Sequence, residues 1–292
     1  MATLAEWIEG TRPRTLPAAI SPVVAGSGIA WHEHSFDWLL ALLALTVSLA
    51  IQIGSNLAND YSDGIRGTDA DRVGPMRLVG SGATSARSVL IAGLACWALA
   101  AGAGLLIVWL TGVWWLTAVG AACILAAWGY TGGKHPYGYL GLGEVFVFVF
   151  YGLVAVGGTV FIQVGQIPAS AWCAAVATGA LACAILVANN LRDLEGDRKV
   201  GKLTLATRLG DNGTRLFFIG TLAVAALGVV AAAWTSSWWA LLGLVMVLSL
   251  IGPVQEVFKG SVGRDLIPVL KQTGLAEFAC AAGLFIGLVI AN

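Results

Sequence analysis

The chain has 292 residues, of which 58% are apolar and only 11% are Asp, Glu, Lys or Arg, and its mean hydropathy is +0.83. Soluble domains carry about 25% charged residues, so this composition excludes a soluble globular enzyme and a disordered chain. Sixteen bases balance 16 acids, without the basic excess of a nucleic-acid partner. What remains is an all-α polytopic membrane protein in contact with the lipid bilayer. The apolar runs are long and continuous, unlike the alternating strands of about 10 residues in a membrane β-barrel.

A spanning helix needs about 20 apolar residues. Nine segments meet that description: 15–31, 38–57, 87–110, 113–131, 143–163, 168–190, 214–234, 237–256 and 268–291. Glu6, Glu9, Arg12 and Arg14 precede the first run, and that run is too long for the core of a cleavable signal peptide. Cys96, Cys123, Cys173, Cys183 and Cys280 all lie inside apolar runs without a CxxC pair, so they read as small buried hydrophobes.

Nine spans divide the connecting segments between two sides. One side holds the N-terminus and the loops 58–86, 132–142, 191–213 and 257–267. All 16 Lys and Arg fall in those segments or on the helix ends that border them. The positive-inside rule makes this side cytoplasmic and puts the C-terminus outside. Nine tryptophans, among them Trp31, Trp38, Trp109 and Trp234, cluster near the opposite ends, where amphipathic rings suit the headgroup belt. The outer loops are a few residues each, so any chemistry belongs to the cytoplasmic face.

The two long cytoplasmic loops share a spacing. Asn59-xxx-Asp63 recurs 130 residues later as Asn189-xxx-Asp193, followed by Asp197. This suggests an internal duplication within a single domain, 1–292, in which helices 1–4 and 5–8 are loosely repeated and helix 9 is added. Residues i and i+4 share one helix face. Asn59 and Asp63 therefore point one way, as do Asn189, Asp193 and Asp197. Converging carboxylates need cations between them. Mg²⁺ prefers oxygen ligands and commonly bridges carboxylates to phosphate. Arg66, Arg72, Arg77, Arg192, Lys199, Lys202 and Arg208 are interspersed and suited to further phosphate oxygens. The chemistry implied is a Mg²⁺-bound diphosphate at the membrane surface.

Asn59-Asp60-xx-Asp63 and Asp193-xxx-Asp197 resemble the two Asp-rich motifs of the intramembrane aromatic prenyltransferase superfamily. Three segments resemble its 1,4-dihydroxy-2-naphthoate branch, which serves menaquinone synthesis. They are Arg12-Pro-Arg14-Thr15-Leu-Pro17 with Ser21-Pro22; Asn56 through Gly67-Thr68-Asp69 with Asp71-Arg72-Val-Gly74-Pro75; and Tyr130-Thr-Gly-Gly-Lys134 followed by Gly141-Leu-Gly143-Glu144. The first Asp-rich motif departs from the general pattern. Gly67 stands where a third Asp is expected, and Asp69 occupies the position typical of the naphthoate branch.

The resemblance implies nine helices around a central cavity and a cytoplasmic-side active site in a prokaryotic plasma membrane. It implies Mg²⁺ held by Asn59, Asp60, Asp63, Asp69, Asn189, Asp193 and Asp197. With Lys202, the carboxylates of Asp63, Asp193 and Asp197 would act on the diphosphate of a polyprenyl diphosphate. The metal helps the allylic C–O bond ionise, and the electron-rich ring of 1,4-dihydroxy-2-naphthoate attacks at the carbon that then loses CO₂, giving demethylmenaquinone. Asn56, Arg66, Arg72, Arg77 and Tyr130 would contact substrate, and Lys134 and Arg14 the carboxylate of the aromatic acid. The alternative acceptors are 4-hydroxybenzoate, homogentisate, haem or chlorophyllide. Glu277, in the last span, and Glu144, opening the fifth, are further candidates; His32 and His34 on an outer loop form at most a weak metal pair.

Two other classes compete. A secondary transporter would suit nine helices and a duplication, but its ionisable groups belong near the midplane; here they crowd one surface. Asp60-xx-Asp63-Gly64 also starts like the CDP-alcohol phosphotransferase motif, but Gly67-Thr68 break it and the next Asp pair stands 130 residues away.

Overall fold

The computed structural model describes residues 2–67, 76–133 and 136–292, and every regular element among them is helical. A short surface helix, α1 (Leu4–Gly10), precedes α2 (Pro17–His32), α3 (Trp38–Arg66), α4 (Ala86–Thr111) and α5 (Leu116–Gly129). The second half holds α6 (Gly143–Val164), α7 (Ala169–Lys199), α8 (Leu205–Thr235), α9 (Trp238–Phe258) and α10 (Gly263–Ile290). Among the described residues seven helices, α3, α4 and α6 to α10, are long and apolar enough to cross a membrane. The expected segments 15–31 and 113–131 form the shorter helices α2, of 16 residues, and α5, of 14. The protein is an integral membrane protein.

Local signals explain the boundaries. Asp37 caps α3 by accepting from the Leu40 N–H, and α3 stops at Gly67, whose φ of 70° suits a left-handed C-cap. Ser85 caps α4 and Thr204 caps α8 in the same way. Within α8, Gly210 breaks the helical dihedrals (φ 72°, ψ −178°) and kinks the element near its start.

Both long expected loops begin as helix. The apolar segments 38–57 and 168–190 were expected to end there, but α3 runs on to Arg66 and α7 to Lys199. The segment 191–213 is further shortened because α8 begins at Leu205. The physical reason is that a helix satisfies its own backbone hydrogen bonds and continues in polar sequence once it leaves lipid. A span uses about 20 residues, whereas α3 has 29 and α7 has 31. Counted from their first residues, both helices reach the end of a span close to Asn59 and Asn189.

The core is built on α7, the most buried of the long helices. Its alanines (Ala174, Ala177, Ala180, Ala184 and Ala188 among them) are buried and let neighbours approach closely. Gly152 of α6 meets Gly179 of α7 so tightly that a methyl at Gly152 would sit 2.7 Å from the Ala175 oxygen. At this crossing α6 widens to a π-helical turn over Phe148–Val154, a feature the sequence patterning did not predict. Such turns are frequent at functional sites, and this one faces the cavity described next.

Candidate active site

An apolar cavity of about 350 Å³ lies inside the bundle, bordered by α2 to α7 and by Leu270 of α10. Its greasy part is lined by residues such as Val47, Ile107, Leu116, Val119 and Phe150. One end is polar and carries Arg12, Thr15, Asn56, Asn59, Tyr130 and Asn189. Asn59 and Asn189, the first residues of the two Asn-xxx-Asp motifs, thus line the same end of the cavity. Tyr137, Phe146 and Phe150 stack along one wall, with centroids 3.8 and 6.0 Å apart. On α3, Gln52 and Asn56 both bond the Thr15 hydroxyl, and the Tyr151 hydroxyl donates to Gln52.

The acids at the mouth are countered by bases from the chain itself. Arg77 approaches Asp63 at 3.5 Å. Arg192 grips Asp193 in two-pronged fashion, at 2.7 and 2.6 Å, and also donates to Asn189 Oδ1 at 2.8 Å. Lys202 lies 3.8 Å from Asp197. Asn59 Oδ1 accepts from the Thr131 hydroxyl. Asp60 differs from its neighbours. It is 1% exposed, and its two oxygens accept the main-chain N–H groups of Leu78 and Val79 at 2.7 and 3.0 Å. It is one of the expected metal ligands, and here its carboxylate accepts from the returning chain, in a turn that carries Arg77 onto Asp63.

Tyr139 joins the two motifs. It sits on a short 3₁₀ turn, Tyr137–Tyr139, and its hydroxyl donates to Asp63 Oδ1 at 2.8 Å. Its ring carries the Lys202 ammonium at 4.9 Å and the Arg66 guanidinium at 5.5 Å from the centroid. Burial, followed by the Asp63 carboxylate, raises the Tyr139 phenol above its ordinary range. It therefore keeps its proton at physiological pH and keeps donating. No sequence pattern marked Tyr139, because its partners come from residues 63, 66 and 202.

The remaining expected residues fall as follows. Arg66, expected on substrate, donates to the Thr131 and Gly133 carbonyls at 2.5 and 2.6 Å and clamps that loop. Asn56 donates to the Thr11 carbonyl at 2.8 Å. Arg14 pairs with Glu9 at 3.7 Å beside the mouth. Arg208 donates to the Leu140 carbonyl. Glu144 accepts from Asn190 at 2.9 Å, and Glu277 is fully buried in α10. Asp69, Asp71, Arg72 and Lys134 lie outside the described residues.

The donors at the mouth are carboxylate and amide oxygens, the hard set that suits Mg²⁺. Among the described residues no three acids form a ready metal cage.

Residues 19–266 match the UbiA prenyltransferase family. The chain belongs to the UbiA prenyltransferase family. It is 54% identical over 284 residues to the 1,4-dihydroxy-2-naphthoate octaprenyltransferase of Mycobacterium tuberculosis, covering 96% of each chain. The enzyme of that name from Mycobacterium leprae is 50% identical over 100% of this chain and 99% of its own. The one from Escherichia coli is 39% identical over 72% and 70%. Among solved structures, a UbiA homologue from Archaeoglobus fulgidus bound to GPP and Mg²⁺ superposes with a TM-score of 0.70 at 15% identity, covering 97% of this chain and 99% of that one. At that identity the family member shares its fold.

Proposed function

We propose that this family member transfers a polyprenyl group from a polyprenyl diphosphate to 1,4-dihydroxy-2-naphthoate, with loss of CO₂, giving demethylmenaquinone. The observation that carries the reading is the 54% identity over 96% of both chains to an enzyme of that name, joined to two Asn-xxx-Asp motifs at one end of an apolar cavity. The chain is read as one domain of nine spans, α2 to α10, in a prokaryotic plasma membrane. The N-terminus and the cavity mouth are cytoplasmic and the C-terminus is outside; the one-sided placement of all 16 bases supports this.

Asp63, Asp193 and Asp197, with Asn59, Asn189 and the branch-typical Asp69, would hold Mg²⁺ between protein and diphosphate. When bound, the ion supplies Lewis-acid stabilisation of the charge that builds on the leaving group. The chain's own residues do the rest. Lys202 and Arg77, which lie on Asp197 and Asp63, are placed to turn onto phosphate oxygens as the acids take the metal. Tyr139 holds Asp63 in register with Lys202. The apolar cavity receives the prenyl tail and excludes water from the allylic carbon. A long polyprenyl chain exceeds about 350 Å³ and continues into lipid.

The test is a product assay. Purified protein with Mg²⁺ and a prenyl diphosphate is offered 1,4-dihydroxy-2-naphthoate, 4-hydroxybenzoate and homogentisate in parallel, and the lipid products are weighed by mass spectrometry. A demethylmenaquinone-type product from the naphthoate alone is expected. A prenylated 4-hydroxybenzoate or homogentisate with no naphthoate product would overturn the acceptor.

A further inference from the structure

Glu277 takes no part in the proposed reaction. It stands at the middle of the 28-residue α10 and is 0% exposed. Both of its carboxylate oxygens are without a hydrogen-bond partner. The titratable groups that face it are Tyr151 of α6, Cys183 of α7 and Cys280 of α10 itself, and none is a cation. The other two helices packed on α10 bring none to that depth, since α2 and α9 carry only His32 and Glu256, each near a helix end. Arg14, just before α2, is turned to Glu9, and Lys271 is exposed.

The register of α10 against α2 is fixed at two points. A methyl at Gly274 would lie 3.7 Å from Pro17 Cγ, and one at Gly28 would lie 2.7 Å from Phe285 Cα. Eleven residues separate these contacts on both helices, so the two run parallel and in step. The facing stripe of α2 then takes in Ser21, four residues past Pro17. That of α10 takes in Glu277, three residues past Gly274. Ser21 therefore comes level with Glu277. It is also 0% exposed, and its hydroxyl has no partner. The buried hydroxyls of Thr159, Thr178 and Thr273 behave differently, each donating to the carbonyl four residues back on its own helix. Pro22 follows Ser21 inside α2. It has no N–H, so the Ala18 carbonyl lacks its helical donor. An acid, a hydroxyl and a carbonyl oxygen thus meet at one level inside the bundle.

We propose that these three groups form a proton-binding site in the membrane interior. Glu277 is held there as the neutral carboxylic acid. Its O–H serves the Ala18 carbonyl and its other oxygen takes the Ser21 hydroxyl, directly or through a buried water. An ionised carboxylate in apolar surroundings needs a cation beside it, whereas a neutral acid needs only hydrogen-bond partners. The site clasps α2 to α10 where Pro22 removes a helical hydrogen bond. Ala18 also lines the large cavity, and Glu277 does not. Glu277 is therefore a positioning residue for the cavity wall.

Infrared difference spectroscopy on the full-length protein in lipid nanodiscs at neutral pH, wild type against Glu277→Gln, tests this. The difference is expected to contain one carbonyl band of a neutral carboxylic acid, shifted in D₂O. Ser21→Ala is expected to move that band without removing it, because the acid loses one partner and keeps its proton. Glu277→Gln still carries a donor and is expected to melt with wild type, whereas Glu277→Met, which has none, melts about 2–4 °C lower. Carboxylate bands in place of the acid band overturn the proposal, and if they respond to exchange of K⁺ for Na⁺ the site holds a metal cation instead. An acid band unmoved by Ser21→Ala overturns the pairing with α2. So does a Glu277→Gln variant that melts as low as Glu277→Met.

Discussion

Asp60 and Asp63 stand three residues apart on one helix, and their carboxylates meet different groups among the described residues. Asp60 accepts from the Leu78 and Val79 N–H groups, while Asp63 faces Tyr139 and Arg77. Asp60→Ala leaves the buried Leu78 N–H and the half-buried Val79 N–H without that acceptor, a loss of about 1–3 kcal/mol for the buried group. The expected outcome is a lower melting temperature with Mg²⁺ half-saturation less affected than in Asp63→Ala; a large rise in the Mg²⁺ requirement at unchanged stability would make Asp60 a ligand instead. Tyr139→Phe removes a hydrogen bond to a charged group, about 1.5–3 kcal/mol. It is expected to cut kcat/KM by about tenfold or more, whereas Tyr139→Ala, which also removes the ring beneath Lys202 and Arg66, costs more. Equal rates for wild type and Tyr139→Phe would remove Tyr139 from the account. The spacing of Asn59, Asp63, Asn189, Asp193 and Asp197 was legible in the sequence because i and i+4 share a helix face. Tyr139 was not legible as a site residue, because a separate loop brings it in.

Each expected apolar segment corresponds to a helix, because lipid demands long runs that satisfy their own backbone. The ends were not legible at α3 and α7. Hydropathy falls where Asn, Asp and Arg begin, but helical hydrogen bonding does not stop there. The π-helical turn in α6 was also unmarked, since it arises where α6 crosses α7 at Gly152 and Gly179. Close crossings of this kind recur between α9 and α10, where a methyl at Gly287 would sit 2.1 Å from the Trp239 oxygen. Gly287→Val is therefore expected to lose about 1–3 kcal/mol through overpacking, seen as a lower melting temperature in detergent. An unchanged melting temperature would mean that α9 and α10 do not pack this closely.

At the scale of the whole molecule, the proposed nine spans would make zero net charge conceal a one-sided distribution, with all 16 bases bordering one face. A cysteine placed at Lys259, in the connection between α9 and α10, is expected to react with an impermeant maleimide only in inside-out vesicles, and one at Ser237 only in right-side-out vesicles. The reverse pattern would invert the topology. Chemistry follows the same asymmetry, with acids, bases and Tyr139 at one end of an apolar cavity. The claim that the two helix ends act together on a Mg²⁺-bound diphosphate is tested most directly by carboxyl-labelled 1,4-dihydroxy-2-naphthoate. Labelled CO₂ and prenylated product are counted with and without Mg²⁺, for wild type, Asp63→Asn and Asp193→Asn. Wild type with Mg²⁺ is expected to release one labelled CO₂ per prenylated product, with turnover all but lost in both variants and without the metal. A product that keeps its label, or full turnover in Asp193→Asn, would contradict the account.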